Sequence, residues 1–149
     1  MRTVFKLTLE DARQIMSAAE IKARQIGVDM DIAITDETGT LIMFHRMDHA
    51  RVTSIDISIN KAFTAAAARK STREYGKMSQ PGGLCYGIQT SNQGRFMVFA
   101  GGLPIFVDDQ IVGGIGCSSG SPDQDEEVAA AGRDALLMSL AQHQEQAAS

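Results

Sequence analysis

The spacing of apolar residues changes period along the chain, and those changes mark its elements. Ala12, Ile15, Met16, Ala19, Ala23 and Ile26 recur at three- and four-residue intervals, which predicts a helix apolar on one face. Thr8 stands where an N-cap belongs, Glu10 and Asp11 suit the positive end of the helix, and Gly27 can end it. From Met30 the period falls to two. Ile32 and Ile34 alternate with Ala33 and Thr35, the residues from Asp36 to Gly39 read as a turn, and Leu41 to Met47 runs back as a strand.

Residues 52 to 60 fit two periods. Val52, Ile55, Ile57 and Ile59 alternate with polar residues as in a strand, while Ile55, Ile59, Ala62 and Ala66 fit a helix. The alanine-rich continuation favours a helix and no turn divides the two segments, so a helix is expected over about residues 53 to 70. Residues 71 to 95 contain Gly76, Pro81, Gly82, Gly83, Gly87 and Gly94, and read as a long connection with one short helix near Ser71 to Met78. Arg95 to Phe99 is expected as a third strand. Ile105 to Val107 and Ile111 to Ile115 flank Asp108 and Asp109 as a second hairpin. Ser121 caps the last helix and Pro122 opens it; Val128, Gly132, Leu136 and Leu140 form its buried stripe, and the residues after Ala141 are expected to fray. The sum is one α+β domain over residues 1–149, a profilin-like sandwich with a five-stranded antiparallel sheet and helices packed against it.

A chain of 149 residues, 44% hydrophobic and 21% charged, is long enough for one real core. A net charge of −4, no tryptophan and 5% aromatic residues argue against nucleic acid as a partner. No stretch approaches membrane-spanning length and residues 1–6 lack the apolar run of a signal peptide, so a cytoplasmic protein without a membrane partner is expected. Cys85 and Cys117, alone in a domain that needs no staple, agree with a reducing compartment.

Gly113, Gly114 and Gly116 leave the second strand of the late hairpin almost bare of side chains. Glycine inside a strand marks a bulge or the close approach of another backbone or a ligand, so this strand is the first place to expect a site.

Several segments together carry a resemblance. They are Thr35 to Leu41, Phe44-His45-Arg46-Met47-Asp48, Ser54 to Ala65, Gly101 to Ile105, Val112 to Gly116, and Gly120 to Asp125. In this order, over nearly the whole chain, they resemble the GlcG/HbpS family, and are similar also to the C-terminal domain of PduO-type corrinoid adenosyltransferases. The resemblance implies the profilin-like fold and homo-oligomers such as tetramers or octamers. It also implies haem or a related tetrapyrrole or corrinoid as ligand, and a setting in glycolate, glycerol or propanediol metabolism. The chain departs from the family pattern at His45, where a small residue is common, at His49, where glycine is common, and at Asp109 in the hairpin turn.

Other residues add candidate chemistry. Cys117 precedes a helix N-terminus, which would favour a thiolate able to ligate iron or attack an electrophile; burial of a small residue is the plainer account. Ser118 and Ser119, beside free backbone N–H groups, suit an anion such as a carboxylate. Asp123 and Glu126 could hold a hard cation, although the acidic first turn, with Asp125 and Glu127, is explained more cheaply by the helix dipole. His45 and His49 flank the end of the second strand, and either could be an axial iron ligand. Lys61, Asp56 and Arg46 form the charged cluster of the family segments, able to meet an acidic ligand group or to pair internally.

The leading expectation is a cytoplasmic oligomeric protein that binds haem or a related tetrapyrrole. Its pocket would lie between subunits, lined by the strand from Gly113 to Ser119, which holds Gly114, Gly116 and Cys117, the helix from Ser54 to Thr64, and the long loop. The alternatives are an accessory enzyme or chaperone of a diol or cobalamin pathway using Cys117 or Lys61, and a purely structural oligomer.

Overall fold

Four antiparallel strands in the order β2-β1-β4-β3 separate two helical layers in the computed structural model, which describes residues 1–149. The strands are β1 (Asp31–Asp36), β2 (Leu41–Arg46), β3 (Gly102–Val107) and β4 (Gln110–Ser118). The helices are α1 (Leu9–Ile26), α2 (Thr53–Ala68), α3 (Thr72–Met78) and α4 (Pro122–Ala148). α1 and α4 pack on each other and on one face of the sheet; α2 covers the other face. The main apolar core lies on the α1/α4 side, where Ile15, Met16, Ala19, Val128 and Leu136 meet Ile32, Ile34, Ile115 and Cys117.

Local chemistry accounts for the element ends. Thr8 Oγ1 accepts from Asp11 N at 3.1 Å and Asp11 Oδ2 accepts from Thr8 N at 2.8 Å, closing a reciprocal cap at the start of α1. Gly27 ends the helix at φ 71°. Asp108 and Asp109 both take positive φ, 46° and 62°, as a two-residue hairpin turn requires when its twist matches that of the flanking strands.

The bare positions of β4 have a partner within the chain. A Cβ at Gly116 would stand 2.1 Å from Ser58 O and 2.4 Å from Ala62 N; one at Gly114 would stand 2.6 Å from Ala62 O. One at Gly113 would meet Thr35 O of β1 at 2.3 Å. The glycines let the small-residue face of α2 sit against the sheet, so the expectation that Gly114 and Gly116 form a ligand surface is corrected.

Two further expectations change. Residues 95–99 do not form a strand, and the sheet has four strands rather than five. Side chains of α2 hold this segment instead: Arg95 Nε donates to Asn60 Oδ1 at 3.2 Å, its guanidinium lies 3.9 Å from the Phe63 ring centroid, and Met97 N donates to Thr64 Oγ1 at 2.9 Å. α4 does not stop near Ala141 but runs on to Ala148, because no glycine or proline interrupts its polar end.

Candidate functional site

Lys61 and Asp125 meet where α2, the end of β4 and the start of α4 converge. Lys61 Nζ donates to Asp125 Oδ2 at 2.8 Å and to Cys117 O at 3.0 Å, and lies 4.5 Å from the Phe99 ring centroid. Asp125 Oδ1 accepts from Gly120 N at 2.9 Å. Burial works against both charges, lowering the pKa of Lys61 and raising that of Asp125, while their mutual attraction opposes each shift. Lys61 is 0% exposed. With two hydrogen bonds made and the Phe99 ring beside it, the ammonium is enclosed, and the pair is a clamp between α2 and α4 rather than a reactive amine.

The expected cluster of Lys61, Asp56 and Arg46 does not form. Asp56 is exposed on α2, and Arg46 stands opposite Asp31 at the far strand pair. Cys117 points into the α1/α4 core at 0% exposure, and burial pushes its thiol pKa strongly up. The helix-end thiolate expected from sequence is thereby overturned: desolvation outweighs the helix dipole. Ser118 and Ser119 are buried too. Ser119 Oγ accepts from Arg51 N at 2.9 Å, and the N–H groups at the start of α4 are taken by Ser121, Gln124 and Asp125. The Gly120, Ser121 and Gln124 N–H groups are thereby already bonded within the chain rather than open to an anion. The acidic pair Asp123 and Glu126 holds Arg73, at 2.6 and 3.0 Å, where a cation had been considered.

Of the other candidate residues, His45 and Arg46 line a cleft of about 480 Å³ between α1 and the edge strand β2, and His49 does not. Phe44, His45 and Arg46 of β2, with Met47 just beyond it, form one wall, and Glu20 and Arg24 form its α1 wall. His45 is half-exposed, and its Nδ1 lies against Glu20 Oε1. Glu20 Oε2 also accepts from Arg24 Nη2 at 3.2 Å, so one carboxylate joins the guanidinium to the imidazole. His45 Nε2 has no hydrogen-bond partner in the protein. Asp29 Oδ2 accepts from the backbone N–H of exposed His49 at 2.8 Å and fixes the turn beneath the cleft. Nowhere do three or more histidine, cysteine or acidic side chains gather in a set able to hold a bare metal ion. The cleft offers a single imidazole, tied through Glu20 to the Arg24 guanidinium, with Arg46, Asp29 and Asp48 also in its lining.

The sequence did not single out Glu20, Arg24 or Asp31, and it offered Asp125 only as a dipole-compensating acid, not as the partner of Lys61. Glu20 and Arg24 are four apart on the polar face of α1, a spacing that signals a helical ion pair but not its third member on β2. Asp31 is fully buried with neither carboxylate oxygen hydrogen-bonded, and burial pushes its pKa up to about 6.

Comparison with known proteins agrees with this architecture. The chain is 41% identical over 123 residues to an uncharacterised 15.0 kDa protein from the dhaT–dhaS intergenic region of Citrobacter freundii, covering 83% of this chain and 87% of that one. The crystal structure of Klebsiella pneumoniae ORFY superposes with a TM-score of 0.89 at 38% identity, over 91% of this chain and 94% of that one. The structure of a PduOC:haem complex superposes with a TM-score of 0.85 at 34% identity, over 88% and 95% of the two chains. The family model described as "Haem degrading protein HbpS-like" matches residues 7–134, and the chain belongs to that family.

Proposed function

We propose that the chain is a small-ligand-binding protein that takes haem in the cleft between α1 and β2, with His45 as an iron ligand. The observation that carries this reading is the donor set. An iron porphyrin needs one or two axial ligands from the protein and cationic partners for its propionates, whereas a bare metal ion needs several ligands close together. The cleft fits the first demand: His45 presents an imidazole with Nε2 free, and Arg24 and Arg46 are cations in the lining of the same cleft. Phe44 and Met47 add apolar surface for the macrocycle. The haem complex formed by PduOC, a relative of the same fold, supports the choice of ligand.

Bound haem would supply a redox-active iron; the chain's own residues hold and orient it. The cleft is mostly polar and open on one side, so one protomer leaves part of a porphyrin uncovered. That open side supports a homo-oligomeric form in which a second copy closes it, which size-exclusion chromatography with light scattering, with and without hemin, would detect. A catalyst using Cys117 or Lys61 has no support, since both side chains are sealed from solvent.

Hemin titration tests the reading. Wild-type protein should give a saturable, shifted Soret band, and His45→Ala should lose the shift. Arg24→Ala and Arg46→Ala should weaken binding, while His49→Ala should leave it unchanged. Absorbance that merely follows free hemin, or a wild-type spectrum retained by His45→Ala, would contradict it.

A further inference from the structure

We infer that Glu20, backed by Arg24, is a positioning residue that fixes which nitrogen of His45 is offered to a ligand; this rests on the haem reading above. A carboxylate only accepts hydrogen bonds, so Nδ1 of a neutral His45 ring facing Glu20 must carry the proton. The Nδ1–H form leaves the Nε2 lone pair outward, toward the cleft. Arg24 Nη2, at 3.2 Å from Glu20 Oε2, fixes the orientation of the carboxylate. An acceptor on the far nitrogen of a metal-binding histidine sets its tautomer, limits ring rotation and makes the ring a stronger electron donor.

Glu20 lies on α1 and His45 on β2, 25 positions apart, and both side chains sit at the wall of one cleft. A purely structural tie between exposed charges contributes little to stability. Its geometric effect on the ring is the consequence that function can use.

Nitrogen NMR of His45 in haem-free protein, at a pH where the ring is neutral, reads the tautomer directly. Wild type should be predominantly Nδ1–H, Glu20→Ala should lose that preference, and Glu20→Gln, which keeps an acceptor but not the charge, should fall between. Hemin affinity should then drop about 10- to 100-fold in Glu20→Ala, with the iron midpoint potential moving positive in Glu20→Gln. Glu20→Ala should cause no further loss once His45 is already alanine. An Nε2–H ring in wild type, or an equal loss of affinity with and without His45, would overturn the role of Glu20. A wild-type chain that takes up no hemin would overturn the proposed function and this role with it.

Discussion

Asp31 carries two carboxylate oxygens that neither water nor any donor in the protein reaches. Burial pushes its pKa up to about 6, against the opposing pull of Arg46. The folded chain therefore binds this proton more tightly than the unfolded one, where aspartate titrates near 3.8. Stability associated with the group is full below about pH 4 and is lost as pH rises through about 6. Asp31→Asn should flatten that slope, raising stability by about 1 kcal/mol at neutral pH with little effect near pH 4; parallel melting-temperature profiles for the two proteins would refute this. Lys61 behaves differently because its partner stays behind. Lys61→Met leaves the Asp125 carboxylate buried with only the Gly120 N–H, and should cost about 3–5 kcal/mol in denaturant unfolding. Lys61→Met combined with Asp125→Leu should recover most of that loss.

At the scale of elements, the fit of α2 to β4 decides the architecture. Gly116→Ala would drive a methyl group into Ser58 O and Ala62 N, backbone atoms that cannot turn aside. The substitution should cost about 3 kcal/mol or more, or prevent folding; a melting temperature within a degree or two of wild type would contradict the close packing. Thr64→Val would remove the acceptor for Met97 N, and should speed hydrogen exchange across residues 95–101 while leaving the sheet protected. These elements also show what the sequence makes legible. Local signals such as Thr8, Gly27, Ser121 and the alternation through Ile32 and Ile34 place α1, α4 and the hairpins, because caps and periodicity act over a few residues. The glycines of β4 announced a close approach, but not that the approaching backbone was α2 of the same chain. Arg95 to Phe99 has a strand's composition, yet Asn60, Phe63 and Thr64 capture it, and such long-range capture leaves no local trace. In the cleft, His45 and Arg46 were visible as candidates, whereas Glu20 needed the fold to bring α1 beside β2.

Across the whole molecule, the two faces of the sheet divide the work. One face carries the large apolar core under α1 and α4; the other is tied down by α2, its small residues and the Lys61–Asp125 clamp. Rigid elements thus fix Glu20, His45 and Arg46 at the rim of the sheet without drawing on the long loop from Ser79 to Gly101. No helix is long and apolar enough to cross a membrane. The most direct test is pulsed EPR on the ferric hemin complex of protein labelled with ¹⁵N only at histidine. The account predicts a ¹⁵N hyperfine coupling in wild type that disappears in His45→Ala and persists in His49→Ala. The same coupling surviving in His45→Ala would place the iron on another residue and contradict the account.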